Sequence, residues 1–495
     1  MPRKKPRGLA WRAIGAFALM LGFYGLAVAI LAALWLGAYA QIRYGNRLYF
    51  RYLFFAGVGT IIIIAGIIPR RDKFVEPGVR LAEDKHPRLF KELRSIAGAV
   101  GQKMPADVFL IPDLNAWVMQ RGGRLSWGGR RVMGLGLPLL NLLSVSQLRA
   151  VLAHEFGHFH GGDTKLGPVI YQTRSAISRT VQGLARNRSL LQIPFSLYGK
   201  MYLRVTHGIS RQQEYAADEL AARVAGSRPL AEGLEKIHKF APAYAIYWQN
   251  EYMPVMGSGY HAPLLEGFSK FLEDPRVEEF AARAMEEQEA AALNNPYITH
   301  PPLAGRLEAI RELPAAATGA DTSPAVSLIG DADAAERELV DGFMKKYAER
   351  RLVPITWDDV ASAVYIEQWT NLIAERGGWL EGMTPASLPD VVKDLRPLAA
   401  SYQQFIGRLP PGEAFQQILT MSLGASLAVH LASRGYELNE RPSLGFMMHK
   451  DDEEIQPFGV LPRLAMGEIS PEDWVRQCQT IGIADADLGS VPRTG

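Results

Sequence analysis

Chemistry concentrates in the stretch VLAHEFGHFHGGDT, Val151–Thr164, where His154, Glu155 and His158 stand close together. Histidines four apart on a helix put both imidazoles on one face, one turn from each other. Two nitrogens offered by one rigid element can grip Zn2+ at about 2.0–2.1 Å each. Glu155 lies roughly 100° around the helix from His154. From there it can reach a water at the metal without ligating the metal, and act as a general base. The plainer alternative is a core helix with two satisfied histidines.

A catalytic zinc takes a third protein ligand and keeps one position open. His160, two residues past His158, points away on a continuous helix. A longer pattern, with a histidine three residues after Gly161, fails because Thr164 stands there. Glu214 is a better candidate, and Asp218 shares its helix face one turn on. Glu214 can complete two imidazoles and one carboxylate. Asp218 can accept the free ring N–H of a ligating histidine and fix its tautomer. Arg211, one turn before Glu214, can hold a carboxylate in place. The competing explanation is an ordinary solvated Arg–Glu–Asp face.

These side chains need helices to carry them. Ser144 to Gln147 has the form of a capping box, so a helix is predicted from Val145, with Val145, Leu148, Val151 and Leu152 as its apolar stripe and Gly161-Gly162 as its end. A second box, Ser210 to Gln213, predicts a helix start there and a stop at Gly226. Upstream, ADVFLIPD, NAWVMQRGG and RRVMGLG predict three strands around Gly122-Gly123 and Gly128-Gly129. Residues 76–101 predict a helix with Leu89, Leu93 and Ile96 on one side. Between the two site helices, Ile170, Ile177, Val181 and Leu184 recur at helical spacing, with Arg174, Arg179, Arg186 and Arg188 on other faces. That pattern suits an amphipathic helix packed on the domain, or one lying on a lipid surface. After an Ala/Pro-rich linker near 312–327, the pattern is helical to about 435. A strand–turn–strand around Lys450–Asp452 and a capped helix carrying Trp474 follow.

The chain has 495 residues, enough for about three domains. Its net charge of +3 gives no case for a nucleic-acid partner. The single cysteine, Cys478, excludes a disulfide framework and a Cys-rich metal site. No charged residue occurs from Ala13 to Ala40, and Tyr52–Pro69 is a second apolar run. The first is long enough for the roughly 20 residues that cross a bilayer and the second is near that length, and the first is too long for a signal peptide. Arg3, Lys4, Lys5, Arg7 and Arg12 before the first run, and Arg70, Arg71 and Lys73 after the second, predict both ends on the cytoplasmic side.

Four pieces in order resemble the membrane zinc endopeptidases that include the CAAX prenyl protease and HtpX. They are Asn115-Ala116-Trp117 with Gly122-Gly123, then His154-Glu155-Phe156-Gly157-His158, then Arg211-x-x-Glu214-x-x-x-Asp218, then THPPLAGR, Thr299–Arg306. The resemblance covers about residues 80–312. It implies an α+β, predominantly helical, zincin-like domain with one zinc ion on His154, His158 and Glu214. It implies Glu155 as base, Asp218 behind the ligands, and His300 and Arg306 steadying the substrate and the oxyanion. Asn115, Ala116 and Trp117 map to an edge strand that pairs with a polypeptide substrate.

The expected organisation is a transmembrane hairpin over 1–75, a zinc metallopeptidase domain over 76–315, a helical extension over 330–435 and a small α+β module over 436–495. The expected location is a bacterial inner membrane, with lipid bilayer and membrane-associated polypeptide as partners. Relatives of the HtpX type carry further spans between the two site helices, but the arginines here argue for only two spans. Residues beyond 330 match nothing in that family. The rivals are an inactive membrane scaffold that keeps the zinc site and a zinc hydrolase of a non-peptide bond.

Overall fold

The structure, a computed structural model, describes residues 8–45, 49–68, 75–121, 130–159, 167–294, 301–313, 321–347 and 352–492. His160, the glycine pairs at 122–123, 128–129 and 161–162, Thr164 and His300 lie outside the described residues. The protein is predominantly helical with small sheets. It folds as two compact units that cut across the four segments expected from sequence: residues 1–241 with 282–343, and residues 242–281 with 344–495.

The first unit opens with α1 (Gly8–Tyr44) and α2 (Phe50–Ile67). Both contain stretches long and apolar enough to cross a membrane, Phe17–Tyr44 and Phe50–Ile67, and among the described residues no other helix does. Next come β1 (Val79–Arg80), α3 (Pro87–Ala99), β2 (Asp107–Ile111), β3 (Ala116–Arg121) and β4 (Arg130–Gly136). The predicted 76–101 helix is therefore shorter: residues 79–80 pair with β2, and the helix starts at Pro87, whose fixed φ suits a first turn. Leu89, Leu93 and Ile96 are buried as its stripe requires. The sheet runs β1-β2-β4-β3, with β2 and β4 parallel and the other pairs antiparallel. β3 is the outer strand at one side.

After α4 (Leu137–Leu142), α5 (Val145–Gly157) begins at the expected cap. The Gln147 amide donates to Ser144 Oγ at 3.3 Å, and the Ser144 amide donates back to Gln147 Oε1 at 3.1 Å. α6 (Gly167–Arg186) and α7 (Gln192–Ala225) complete the frame. The second predicted cap is overturned. α7 runs unbroken through Ser210, whose hydroxyl donates to the Thr206 carbonyl at 3.2 Å instead of capping anything. Packing along the whole length of α7 sustains the helix, so a local cap sequence inside it has no end to cap. The stop at Gly226 holds, with φ +100° suited to glycine.

What α7 packs on explains the arginine-punctuated stretch. α6 and the first half of α7 form a hairpin against α1 and α2, around a core of Phe23, Ala27, Ile63, Ala176, Ile177, Leu184, Phe195 and Tyr202. Gly66 of α2 sits so close to Thr180 that a Cβ would fall 3.0 Å from the Thr180 Cα. Arg179 donates to the Gly66 carbonyl at 3.0 and 3.2 Å, satisfying the exposed C-terminal end of α2. Arg174 donates to Thr206 Oγ1 at 2.9 Å across the hairpin. Leu190, just before α7, and Ile193, Leu197 and Met201 along it stay exposed, as do many apolar side chains of α1 and α2.

The second unit has its own core. Tyr247, Phe268, Phe271 and Trp357 pack ring against ring, and the Trp357 indole donates to the Pro263 carbonyl at 2.7 Å. Residues 260–261 pair with 353–354 as short parallel strands. That pairing and the ring cluster tie 242–281 to the C-terminal residues. The predicted strand–turn–strand appears as Met448–Lys450 and Glu453–Ile455, and Ser470 caps the helix that buries Trp474.

Candidate metal centre

Two helices build the site. α5 supplies His154 and Glu155 and ends at Gly157, before the predicted Gly161-Gly162 stop, with His158 as its C-terminal cap; α7 supplies Glu214 and Asp218. They approach closely because Gly157 has no side chain: a Cβ there would lie 3.1 Å from the Ala217 Cα and 3.2 Å from its Cβ. That contact falls beside the donors of both helices. His154 and His158 stack edge-on, ring centres 4.8 Å apart. His154 Nε2 lies 3.6 Å from Glu214 Oε2, and His158 Nε2 lies 3.9 Å from Glu214 Oε1. Glu155 also brings an oxygen within 4.8 Å of the ring nitrogens. Glu214 is the carboxylate whose two oxygens each face one imidazole, which suits a ligand; Glu155, half-buried on the α5 side, suits a base beside it.

The donor set fits zinc. Two ligands bound at about 2.1 Å at tetrahedral angles lie about 3.4 Å apart, close to both N···O separations. One carboxylate and two imidazoles also leave a position free. The open side is at His158, whose side chain is 32 % exposed against 7 % for His154.

Behind His154 and Glu214 the polar groups are buried and closely paired. His154 Nδ1 lies 2.9 Å from Asp218 Oδ1. A proton on Nδ1 donated to that carboxylate leaves Nε2 free to coordinate. Arg306, on the Leu303–Arg311 helix, donates from Nε and Nη2 to the two Asp218 oxygens at 2.8 Å each, and its Nη1 is 3.3 Å from Glu214. Burial would raise the Asp218 carboxyl, but the hydrogen bonds and charges of Arg306 and His154 outweigh it and hold it down at about 2. Burial would lower the Arg306 guanidinium, and Asp218 and Glu214 raise it instead. One guanidinium thus pairs with two of the site's acids, Asp218 and Glu214.

The structure thus brings together His154, Glu155, His158, Glu214, Asp218 and Arg306. It places Arg306 on the carboxylates. Arg211 does not take the role the spacing suggested: among the described residues it makes no ion pair with Glu214, and its Nε is buried without a partner. A residue 88 positions from Asp218 does that work, and no local signal joins the two. Asn115, Ala116 and Trp117 lie at the start of the outer strand β3, where Ala116 pairs with Leu135 and Trp117 with Gly134. Trp117 packs toward Phe109, Ile111 and Val132. The Asn115 side chain accepts from the Ala116 amide at 2.9 Å.

Comparison with known proteins finds one family match and several relatives. Residues 83–314 match Peptidase family M48. A protease HtpX homolog of Ralstonia pickettii is 27% identical over 174 residues, covering 32% of this chain and 58% of that one. One from Pelotomaculum thermopropionicum is 30% identical, covering 32% and 62%. One from Archaeoglobus fulgidus is 22% identical over 315 residues, covering 62% and 90%. The chain thus spans less than two thirds of the Ralstonia relative's length. No solved structure matches.

Proposed function

We propose, from the match of residues 83–314 to Peptidase family M48, that this protein is a zinc-dependent endopeptidase held at a membrane by α1 and α2. The observation that carries the reading is the convergence of His154 and His158 from α5 with Glu214 from α7, with Glu155 beside them. When bound, zinc supplies a Lewis acid that brings the pKa of a water to about 7 and polarises a carbonyl. Everything else falls to the chain. Glu155 accepts the proton of the attacking water and returns it to the leaving amine. Asp218 holds the His154 tautomer and ring orientation. Arg306 keeps Asp218 charged and holds Glu214 in place.

β3 is the outer strand of its sheet among the described residues, and its start at Asn115–Trp117 is assigned to the main chain of an extended substrate, a mode that reads backbone more than side chains. That mode suits processing or clearance of membrane-associated polypeptides, with the domain on the cytoplasmic side of a bacterial inner membrane. His300 is assigned to steady the substrate on the strength of the family resemblance. Exposed Leu190, Ile193, Leu197 and Met201 support contact of the α6–α7 hairpin with the bilayer.

The test is cleavage of an unstructured protein such as casein by the full-length protein in detergent. We expect chelator to stop cleavage, and Glu155→Gln to lower it by about 10²–10⁴-fold while zinc content stays unchanged. Full activity of Glu155→Gln would refute the mechanism. Stoichiometric zinc with no cleavage by the wild type would favour the inactive scaffold.

A further inference from the structure

We propose that Glu289 is a positioning residue for the metal centre: it fixes the start of the Leu303–Arg311 helix, and so aims Arg306 at Asp218 and Glu214. This deepens the zinc-site reading above and rests on it.

The Leu303–Arg311 helix has no cap of its own. Pro302 stands at its cap position, with no N–H and no side chain able to accept a hydrogen bond. The first amides of a helix have no partner inside it. Here the Leu303 and Ala304 amides both donate to Glu289 Oε1, the second at 3.3 Å. Glu289 belongs to another helix, Pro275–Asn294. Glu286 and Glu287 of that helix are exposed, whereas Glu289 is half-buried. A carboxylate also suits the positive end of a helix. The same first turn lies close on α7, where a Cβ on Gly305 would fall 3.3 Å from the Tyr215 phenol oxygen. Tyr215 follows the ligand Glu214 in the chain.

What the cap holds is the aim of Arg306. The Arg306 amide donates to the Pro302 carbonyl at 3.2 Å, one turn from the start. A slip of one residue there would turn the helix by about 100° and shift it by about 1.5 Å. That takes the guanidinium off its two 2.8 Å bonds to Asp218. Leu303, Leu307 and Ile310 are buried and hold the apolar side of the helix, which leaves the polar first turn to Glu289. A bonded path then runs from Glu289 through the first turn to Arg306, Asp218 and His154 Nδ1. An ordinary stabilising cap would make the first contact of that path and leave the metal unaffected.

The experiment measures zinc affinity of the full-length protein in detergent, by competition with a fluorescent chelator. Glu289→Ala should weaken zinc binding about five-fold, less than the 10–100-fold typical for a ligand's direct partner. Glu289→Gln keeps an acceptor oxygen and should stay within about two-fold of wild type. Arg306→Lys keeps the charge but cannot make the paired bonds. In that background Glu289→Ala should change affinity by less than about two-fold, because the path is already cut. Wild-type affinity in Glu289→Ala, with or without a lower Tm, overturns the proposal. So does a loss of the same size in the Arg306→Lys background, Glu289→Gln as weak as Glu289→Ala, or a Glu289→Ala protein without its helical circular dichroism spectrum. Each of these leaves the peptidase reading standing. A wild type that binds zinc and cleaves nothing overturns the peptidase reading alone, and a wild type that binds no zinc overturns both.

Discussion

Arg306 has the strongest consequences of any single residue. It is 3 % exposed, binds both Asp218 oxygens and stands against Glu214. Removing it strands two buried carboxylates, so Arg306→Ala should destabilise the protein by about 3–5 kcal/mol, measured by chemical unfolding after chelation. Asp218→Asn should lower zinc affinity by about 10–100-fold through loss of the His154 partner, measured by competition with a fluorescent chelator. The sign of the pH dependence follows from the depressed carboxyl. Asp218 sits at about 2 in the folded chain against 3.8 for the free group. Its contribution is present above pH 4 and is lost as pH falls through about 2. The stability gap between wild type and Asp218→Asn should therefore narrow across that window in the zinc-free protein. Sequence spacing made His154, Glu155, His158, Glu214 and Asp218 legible, because each set sits within one or two turns of a helix. The Asp218–Arg306 pair joins distant segments, which is why Arg211 looked like the natural partner.

At the scale of elements, the site depends on how near α5 and α7 can come. Gly157→Ala places a methyl 3.1 Å from the Ala217 backbone. Overpacking of that kind costs about 1–3 kcal/mol, and here it also separates the donors of the two helices. We expect lower zinc affinity in Gly157→Ala and loss of zinc in Gly157→Leu, read by metal analysis beside a circular dichroism spectrum that stays helical. Unchanged zinc binding by Gly157→Leu would show that the close approach does not matter. The start of α5 was readable because a capping box acts within four residues. The same kind of signal at Ser210 misled, because α7 is packed on α1 and α6 before Ser210 and on α5 after it, contacts that no local window contains.

For the molecule as a whole, the α1–α2 pair is more than an anchor. Its inner face is core for α6 and α7, with Phe23 and Ile63 fully buried against Phe195, Leu184 and Tyr202, and α7 continues to Glu214 and Asp218. Deleting residues 1–75 should therefore not release a working soluble enzyme. The truncated protein should aggregate on size-exclusion chromatography and hold little zinc. A monomeric, zinc-loaded truncation would contradict this coupling. The amphipathic pattern of 165–208 announced a helix seeking an apolar surface, but it could not say that the surface was the protein's own apolar α1–α2 pair. The whole account turns on Glu214 closing the metal site. Elemental analysis of the purified full-length protein and its Glu214→Ala variant tests that directly. We predict about one zinc per chain in the wild type and nearly none in the variant; a wild type without zinc, or a variant that keeps its full complement, would contradict it.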